Sequence, residues 1–164
     1  MLAVCAPESL AAKKSKSKVP TTTSEVLKGK PDAVSVKEVA AAAKAQALID
    51  GTRLGVTVGN PSCSAPTKAT PGLVVQCLVP FGTNGIPYLV AIGLGSTLTA
   101  QSTFPLVRAS DMATAAGDNS ATCGPAVQSL PVGTTITCTI RTKKSSSTVQ
   151  VQVADRNGLI RRIS

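Results

Sequence analysis

Cysteine is the residue type whose spacing in this chain carries chemical information. The interval from Cys63 to Cys77 is within one residue of the interval from Cys123 to Cys138, and Cys5 is left without a counterpart. The sequence has no Cys-x-x-Cys pair and no histidine, so we expect no zinc site of the usual spacing. Two widely spaced pairs are typical of an oxidising compartment. We predict the disulfides Cys63–Cys77 and Cys123–Cys138; the alternative is four free, buried cysteines.

The sequence offers little for hydrolytic catalysis. Without histidine, neither a Ser-His-Asp nor a Cys-His arrangement can form within the chain. No acidic residue lies between Asp50 and Asp111, so a pair of carboxylates would have to come from distant turns. The Gly93-x-Gly95 stretch is too short for a phosphate-binding loop, and we expect no helix after it. We therefore predict a non-catalytic protein without catalytic residues, cofactor or bound metal.

The first 33 residues form a basic segment of low complexity. Residues 1–30 hold six lysines against Glu8 and Glu25, within a chain whose net charge is +9. Such a stretch cannot bury enough apolar surface to fold, which predicts a disordered tether over residues 1–33. The tether is either a solvated spacer or a contact to an anionic surface such as lipid headgroups or wall polymers. The residues that would make this contact are Lys13, Lys14, Lys16 and Lys18.

A lipid anchor on Cys5 is a second hypothesis for this segment. The residues Leu2-Ala3-Val4-Cys5 are similar to the end of a lipobox, although the position before the cysteine usually holds Gly, Ala or Ser. No complete signal peptide and no stretch long enough to cross a bilayer are found, so export is inferred, and a start codon upstream would explain the missing signal. The alternative is an incidental cysteine near the N-terminus.

The first half of the chain predicts one helix followed by strands. Ser35 and Glu38 match a capping box, and apolar residues then recur at helical spacing until Gly51, a natural stop. This predicts a helix over residues 35–50 that buries Val39, Ala43 and Ala47. Strands are expected over residues 55–58, 73–79, 88–92 and 96–107, with a hairpin turn over 80–85 that uses Asn84-Gly85.

The second half repeats this order with a shorter helix. Ser110 as a cap and Gly117 as a stop predict a helix over residues 110–116. Strands are expected over residues 134–140, 149–153 and 159–160, with a polar loop at 143–147 and a turn at 155–158.

The two halves align with each other around their cysteine pairs. With Cys63 placed on Cys123, Gly72 and Gly133 each lie five positions before the second cysteine of their half. The strands at 88–92 and 149–153 then follow that cysteine at the same distance, which indicates a duplicated unit. We predict an α+β fold of two tandem modules, residues 34–108 and 109–164, each a helix on a small antiparallel sheet with one disulfide.

This arrangement resembles an actinobacterial envelope family catalogued as domain of unknown function 4333. The likeness is carried in the second half by Cys123, Gly133-Thr134-Thr135, Thr137-Cys138-Thr139 and residues 149–153, and more loosely in the first half by Cys63, Gly72, Gln76-Cys77-Leu78 and residues 88–92. The resemblance implies small exported or lipid-anchored modules and brings no known activity. The first half lacks the threonine-rich strand, and the helix of the second half is short.

Two functions are compatible with these observations. One is a structural or accessory protein of the cell envelope, on the outer face of the membrane or secreted, whose modules stand off the membrane on the basic tether. The other is a binding or inhibitor-like module that captures an envelope or secreted protein with a sheet face or edge. An exposed apolar patch on a sheet would favour the second function, and a uniformly polar surface the first. Nucleic acid is not expected as a partner, since three aromatic residues cannot build a stacking platform.

Overall fold

The computed structural model describes residues 33–64 and 69–164. The predicted tether therefore lies almost entirely outside the described residues, as do Cys5, Lys13, Lys14, Lys16 and Lys18. The helices are α1 (Val36–Leu54) and α2 (Ala109–Ala116), and a short 3-10 turn covers Leu94–Ser96. The strands are β1 (Ser62–Cys63), β2 (Val74–Phe81), β3 (Asn84–Ile92), β4 (Leu98–Ser102), β5 (Leu106–Arg108), β6 (Val127–Ser129), β7 (Thr135–Arg141), β8 (Ser146–Val153) and β9 (Ile160–Arg162).

The fold is α+β, as the sequence predicts. A four-stranded sheet has the order β1-β2-β3-β4, and a three-stranded sheet has the order β7-β8-β9. We call these the first and the second sheet. Every pair of neighbouring strands is antiparallel, and β5 and β6 form a separate two-stranded ribbon between the sheets. Helix α1 packs on the first sheet and helix α2 on the second.

Helix α1 begins as predicted, with a complete capping box. The Ser35 amide donates to Glu38 Oε2 at 2.7 Å, and the Glu38 amide donates back to Ser35 Oγ at 3.3 Å. These two bonds satisfy amides that the first turn of a helix leaves without intrahelical partners. The predicted inward residues Val39, Ala43 and Ala47 are all fully buried.

Helix α1 does not stop at Gly51, so that prediction is wrong. It continues to Leu54, and Gly55, with φ 69°, closes it in the left-handed conformation. Gly51 is a buried helical residue instead, because the helix crosses very close to the segment that follows it. A Cβ on Gly51 would overlap Val58 Cγ2 and lie 3.0 Å from the Val56 carbonyl oxygen.

The predicted hairpin is present, but its turn lies two residues earlier than expected. Phe81 and Asn84 are paired, so the loop is Gly82-Thr83 and the Asn84-Gly85 dipeptide belongs to β3. Gly82 has φ 60°, the positive value that a type II′ turn requires at the first loop position. Asn84 is used differently: its Nδ2 donates to the Val127 carbonyl of β6 at 2.9 Å.

Three further predictions in the connecting segments need correction. The strand expected over residues 55–58 is reduced to one bridge between Val58 and Phe81. The strand expected over 96–107 divides into β4 and β5, since β5 leaves the first sheet and pairs with β6. Ser110 does not cap α2; the chain passes directly from β5 into the helix at Arg108, whose guanidinium binds the Asp111 carboxylate through two bonds of 2.9 and 2.7 Å.

Two hydrophobic cores lie beneath the two sheets. The larger core packs α1 against the first sheet and contains the stacked rings of Phe81 and Tyr88, whose centroids are 6.1 Å apart. The smaller core packs α2 against the second sheet. Leu106 and Val127 of the ribbon are buried in the larger core, whereas Val107 is buried in the smaller one. The ribbon therefore links the two cores.

Candidate functional site

Both predicted disulfides are present. Cys63 and Cys77 are direct cross-strand partners of β1 and β2, and their Cα atoms are 3.9 Å apart. The second bond joins Cys123 to Cys138, with Cα atoms 4.3 Å apart, beside the bridge that pairs Thr122 with Thr139. Each bond closes a loop onto the strand that follows a Pro-Gly or Pro-Val-Gly turn. The two disulfides are compatible with an extracellular or secreted location.

The turns that precede these strands have the same geometry in both halves. Gly72 has φ 91° and Gly133 has φ 90°. The Gly72 amide donates to the Ile92 carbonyl at 2.8 Å, and the Gly133 amide donates to the Val153 carbonyl at 2.8 Å. The second cysteine of each half is paired across the sheet with Tyr88 for Cys77 and Val149 for Cys138, two residues that the alignment of the halves makes equivalent.

The first sheet leaves its outer side open and apolar. Residues of β2 and β3 alternate, so that one set faces α1 and the other faces solvent. Val74 is 55% exposed and Leu78 is 52% exposed. Their cross-strand partners are apolar too. We define the apolar face as Val74, Leu78, Pro87, Leu89 and Ala91.

The apolar face carries no charge. Between Leu54 and Val107 the sequence has a single charged residue, Lys68, which lies outside the described residues. The polar neighbours on this side of the sheet include Ser62, Gln76, Thr99 and Gln101. A contiguous apolar patch of this kind on a protein surface is often a contact site.

Strand β4 extends the apolar face to a sheet edge that pairs with no further strand among residues 33–64 and 69–164. It is the last strand in its sheet, and its sequence, LTAQS, holds neither a charge nor a proline. The Thr103 amide just after β4 donates to the Pro87 carbonyl at 3.0 Å. Because hydrogen bonding alternates along a strand, the backbone groups of Leu98, Ala100 and Ser102 face away from β3. These groups can pair with an added strand.

The second sheet presents a contrasting outer side. Its outward residues pair as Thr135 with Gln152, Thr137 with Gln150, Thr139 with Thr148 and Arg141 with Ser146. Its free edge strand β9 carries Arg161 and Arg162, which protect an edge from pairing with other strands. We define the polar face as Thr135, Thr137, Thr139, Thr148, Gln150 and Gln152. Strands β7-β8-β9 correspond in order to β2-β3-β4 of the first sheet but differ from them in surface chemistry.

A polar cluster beneath the first sheet supports the fold. The Tyr88 hydroxyl, fully buried, donates to Asp50 Oδ2 at 2.7 Å, and Arg53 Nη2 lies 3.6 Å from Asp50 Oδ1. Burial, followed by the hydrogen bond to the Asp50 carboxylate, raises the pKa of Tyr88 well above its ordinary value. This side chain therefore stays neutral and acts as a hydrogen-bond donor.

The sequence reasoning located the disulfides but not the apolar face. One signal for the face was available in the sequence, the run from Leu54 to Val107 with Lys68 as its single charge. Among residues 33–64 and 69–164, no helix is long and apolar enough to cross a membrane. Within the same residues, no three His, Cys, Asp or Glu side chains gather where they could hold a metal ion.

Comparison of the chain with protein-family models, curated proteins and solved structures gives no match. The function is therefore inferred from the surfaces of the molecule itself.

Proposed function

We propose that this chain is a non-catalytic binding protein, exported to the cell envelope or secreted, that captures another polypeptide through the apolar face and the β4 edge. The observation that carries the proposal is the uncharged outer side of the first sheet, with Val74 and Leu78 each more than half exposed. A uniformly polar surface would favour the alternative, a purely structural envelope protein, and the outer side of the first sheet is not of that kind.

The size of the apolar face favours a different polypeptide over a second copy of this chain. Strands β2, β3 and β4 have eight, nine and five residues, which at about 3.4 Å per residue and about 4.8 Å between strands present roughly 360 Å², polar side chains included. A stable interface needs about 800 Å² from each partner. A segment that covers the face and also adds a strand to β4 enlarges the contact and supplies backbone hydrogen bonds. The partner is therefore expected to offer an extended, uncharged segment.

The envelope location rests on the two disulfides and on the resemblance to the actinobacterial envelope family. In this proposal residues 1–33 tether the folded part, with Cys5 as the lipid attachment and the four nearby lysines as a second, electrostatic signal for an anionic leaflet. Changing Cys5 to Ser should move the protein from membranes to the medium. An unchanged distribution would contradict the anchor while leaving the binding proposal untouched.

The binding proposal is tested by site-specific photo-crosslinking in the producing cells. A benzophenone amino acid is placed at Leu78 on the apolar face, at Thr99 beside the β4 edge, or at Thr137 on the polar face as the matched control. We expect Leu78 and Thr99 to crosslink the same polypeptide, Thr137 to give no such product, and Val74→Glu to abolish the crosslink.

Three results would contradict the proposal. Equal crosslinking from Thr137 would show that the contact is not specific to the first sheet. The absence of any product from Leu78 and Thr99 would show that the face is unoccupied. A product that joins two copies of this chain would make the protein a self-associating one, contrary to the area argument.

A further inference from the structure

A cleft between the two halves plays no part in the proposed function. It encloses about 700 Å³, within the range of small-molecule sites. Its walls come from the end of α1, from the connection between β4 and β5, from the β6–β7 loop and from the β8–β9 turn. Both halves of the chain are therefore needed to form it.

The charged side chains that line the cleft among the described residues are positive. Arg53 lines it from the first half and Arg156 from the second, and no acidic residue lines it within the described part of the chain. The nearby carboxylates are already engaged: Asp50 accepts from the Tyr88 hydroxyl, and Asp155 accepts from the amides of Asn157 and Leu159.

Both arginine side chains are able to bind an anion. The Arg53 side chain is 57% exposed and makes one long contact, 3.6 Å, to Asp50. The Arg156 side chain is exposed and has no hydrogen-bond or ion-pair partner among residues 33–64 and 69–164. Guanidinium groups hold carboxylates and related anions through charge-assisted hydrogen bonds.

Apart from the arginines, the cleft is mixed in polarity: Gln101, Ser102, Thr103 and Asn157 line it beside apolar side chains. Phe104 is 41% exposed and Val132 is 48% exposed, and Pro105 and Pro131 lie in the same walls. Phe104 is the one aromatic ring of the chain that is not buried in the larger core. Large apolar side chains left uncovered beside two cations suit a ligand with an apolar body and an anionic head group.

We infer that this cleft binds a small anionic amphiphile, with Arg53 and Arg156 at the anionic head group and Phe104 and Val132 against the apolar body. The inference does not require the polypeptide-binding proposal to be right: no apolar-face residue lines the cleft, although Gln101 and Ser102 at the end of β4 lie in its wall.

The test uses the absence of tryptophan from the chain. Phe104→Trp in the full-length protein places a single fluorophore in the cleft. The variant is titrated with octanoate and, as a matched probe of opposite charge, with octylammonium. We expect octanoate to shift the tryptophan emission to shorter wavelength in a saturable manner and octylammonium to leave it unchanged. Leu94→Trp, on a residue 86% exposed at the opposite end of β4, should respond to neither probe.

Charge-removing variants in the Phe104→Trp background measure how much each arginine contributes to octanoate binding. Arg156→Gln and Arg53→Gln should each raise the octanoate Kd about tenfold or more, because each removes one charge-assisted hydrogen bond. Lys37→Gln, which removes the same charge at the far end of α1, should change the Kd less than twofold. Chemical shifts of the Thr103 and Asn157 amides in the wild-type protein provide a readout that needs no substitution.

Two outcomes would overturn the inference. Octylammonium that binds as tightly as octanoate would show that the arginines do not select the ligand. Amide shifts in the wild-type protein that stay unchanged with octanoate would show that the cleft does not bind this class of ligand, whatever the variants do.

Discussion

Gly51 shows how closely helix α1 approaches the segment that follows it. The residue is buried inside the helix, where glycine is otherwise unfavourable by about 1 kcal/mol relative to alanine. Here the sign reverses, because an alanine Cβ would overlap Val58 Cγ2 and crowd the Val56 carbonyl. The absence of a side chain at position 51 is thus a packing requirement.

The first prediction follows from this contact. Gly51→Ala should lower the free energy of unfolding by about 2 kcal/mol, the usual cost of overpacking a core. Val58→Ala removes the methyl group that the introduced Cβ would meet, so the double variant should recover part of the loss. Urea denaturation of the wild type, the two single variants and the double variant measures this coupling. A Gly51→Ala protein that is more stable than wild type would contradict the packing account.

Tyr88 gives a second prediction, on pH dependence. It is the single tyrosine of the chain, so the absorbance at about 295 nm reports its ionisation alone. Because its folded-state pKa is raised above its unfolded value, its contribution to stability is fully present below about pH 10 and declines as the pH rises above that value. We expect no tyrosinate signal at about pH 11 in the native protein, but a titration near pH 10 in denaturant. Tyr88→Phe should remove this part of the alkaline loss of stability. Titration of Tyr88 at the ordinary tyrosine pKa in the native protein would contradict its burial.

The secondary-structure elements were largely predictable from sequence, and the failures have local causes. The start of α1 was predictable from its capping box. The buried side of α1 and strand β8 were predictable from the periodic spacing of their apolar residues, which burial reinforces. Gly51 was expected to end the helix, and Asn84-Gly85 was expected to form the hairpin turn. Each local signal was overridden by a tertiary contact, that of Gly51 with Val58 and that of Asn84 with Val127. The division of residues 96–107 into β4 and β5 depends on pairing with β6, which is distant in sequence and carries no local signal.

The disulfides are the elements' main covalent support, and they give the third prediction. Each closes a loop for which chain entropy predicts a stabilisation of about 3 kcal/mol. Cys63→Ala/Cys77→Ala and Cys123→Ala/Cys138→Ala should each lower the unfolding free energy by about that amount. Non-reducing peptide mapping of the wild type should find these two bonds. Pairing across the halves, or a loss below about 1 kcal/mol in both variants, would contradict this role.

The two halves share local features but have unlike surfaces. The Gly72 and Gly133 turns, the cysteine positions and the order of strands β2-β3-β4 and β7-β8-β9 correspond, whereas one outer sheet side is apolar and the other is lined with threonine, glutamine and arginine. Such divergence is expected if one half binds a partner and the other remains solvated. The β5–β6 ribbon links the two cores, since Leu106 and Val127 are buried in the larger one and Val107 in the smaller one.

The partner-binding role of the apolar face is tested most directly by affinity measurements with the polypeptide that Leu78 crosslinks. Leu78→Glu places a charge on the apolar face, and Thr137→Glu places the same charge on the polar face. We predict that Leu78→Glu raises the Kd by about thirtyfold or more, the effect of a residue that contributes about 2 kcal/mol to an interface, whereas Thr137→Glu changes it less than twofold. Equal effects of the two substitutions, with both proteins folded, would contradict the account.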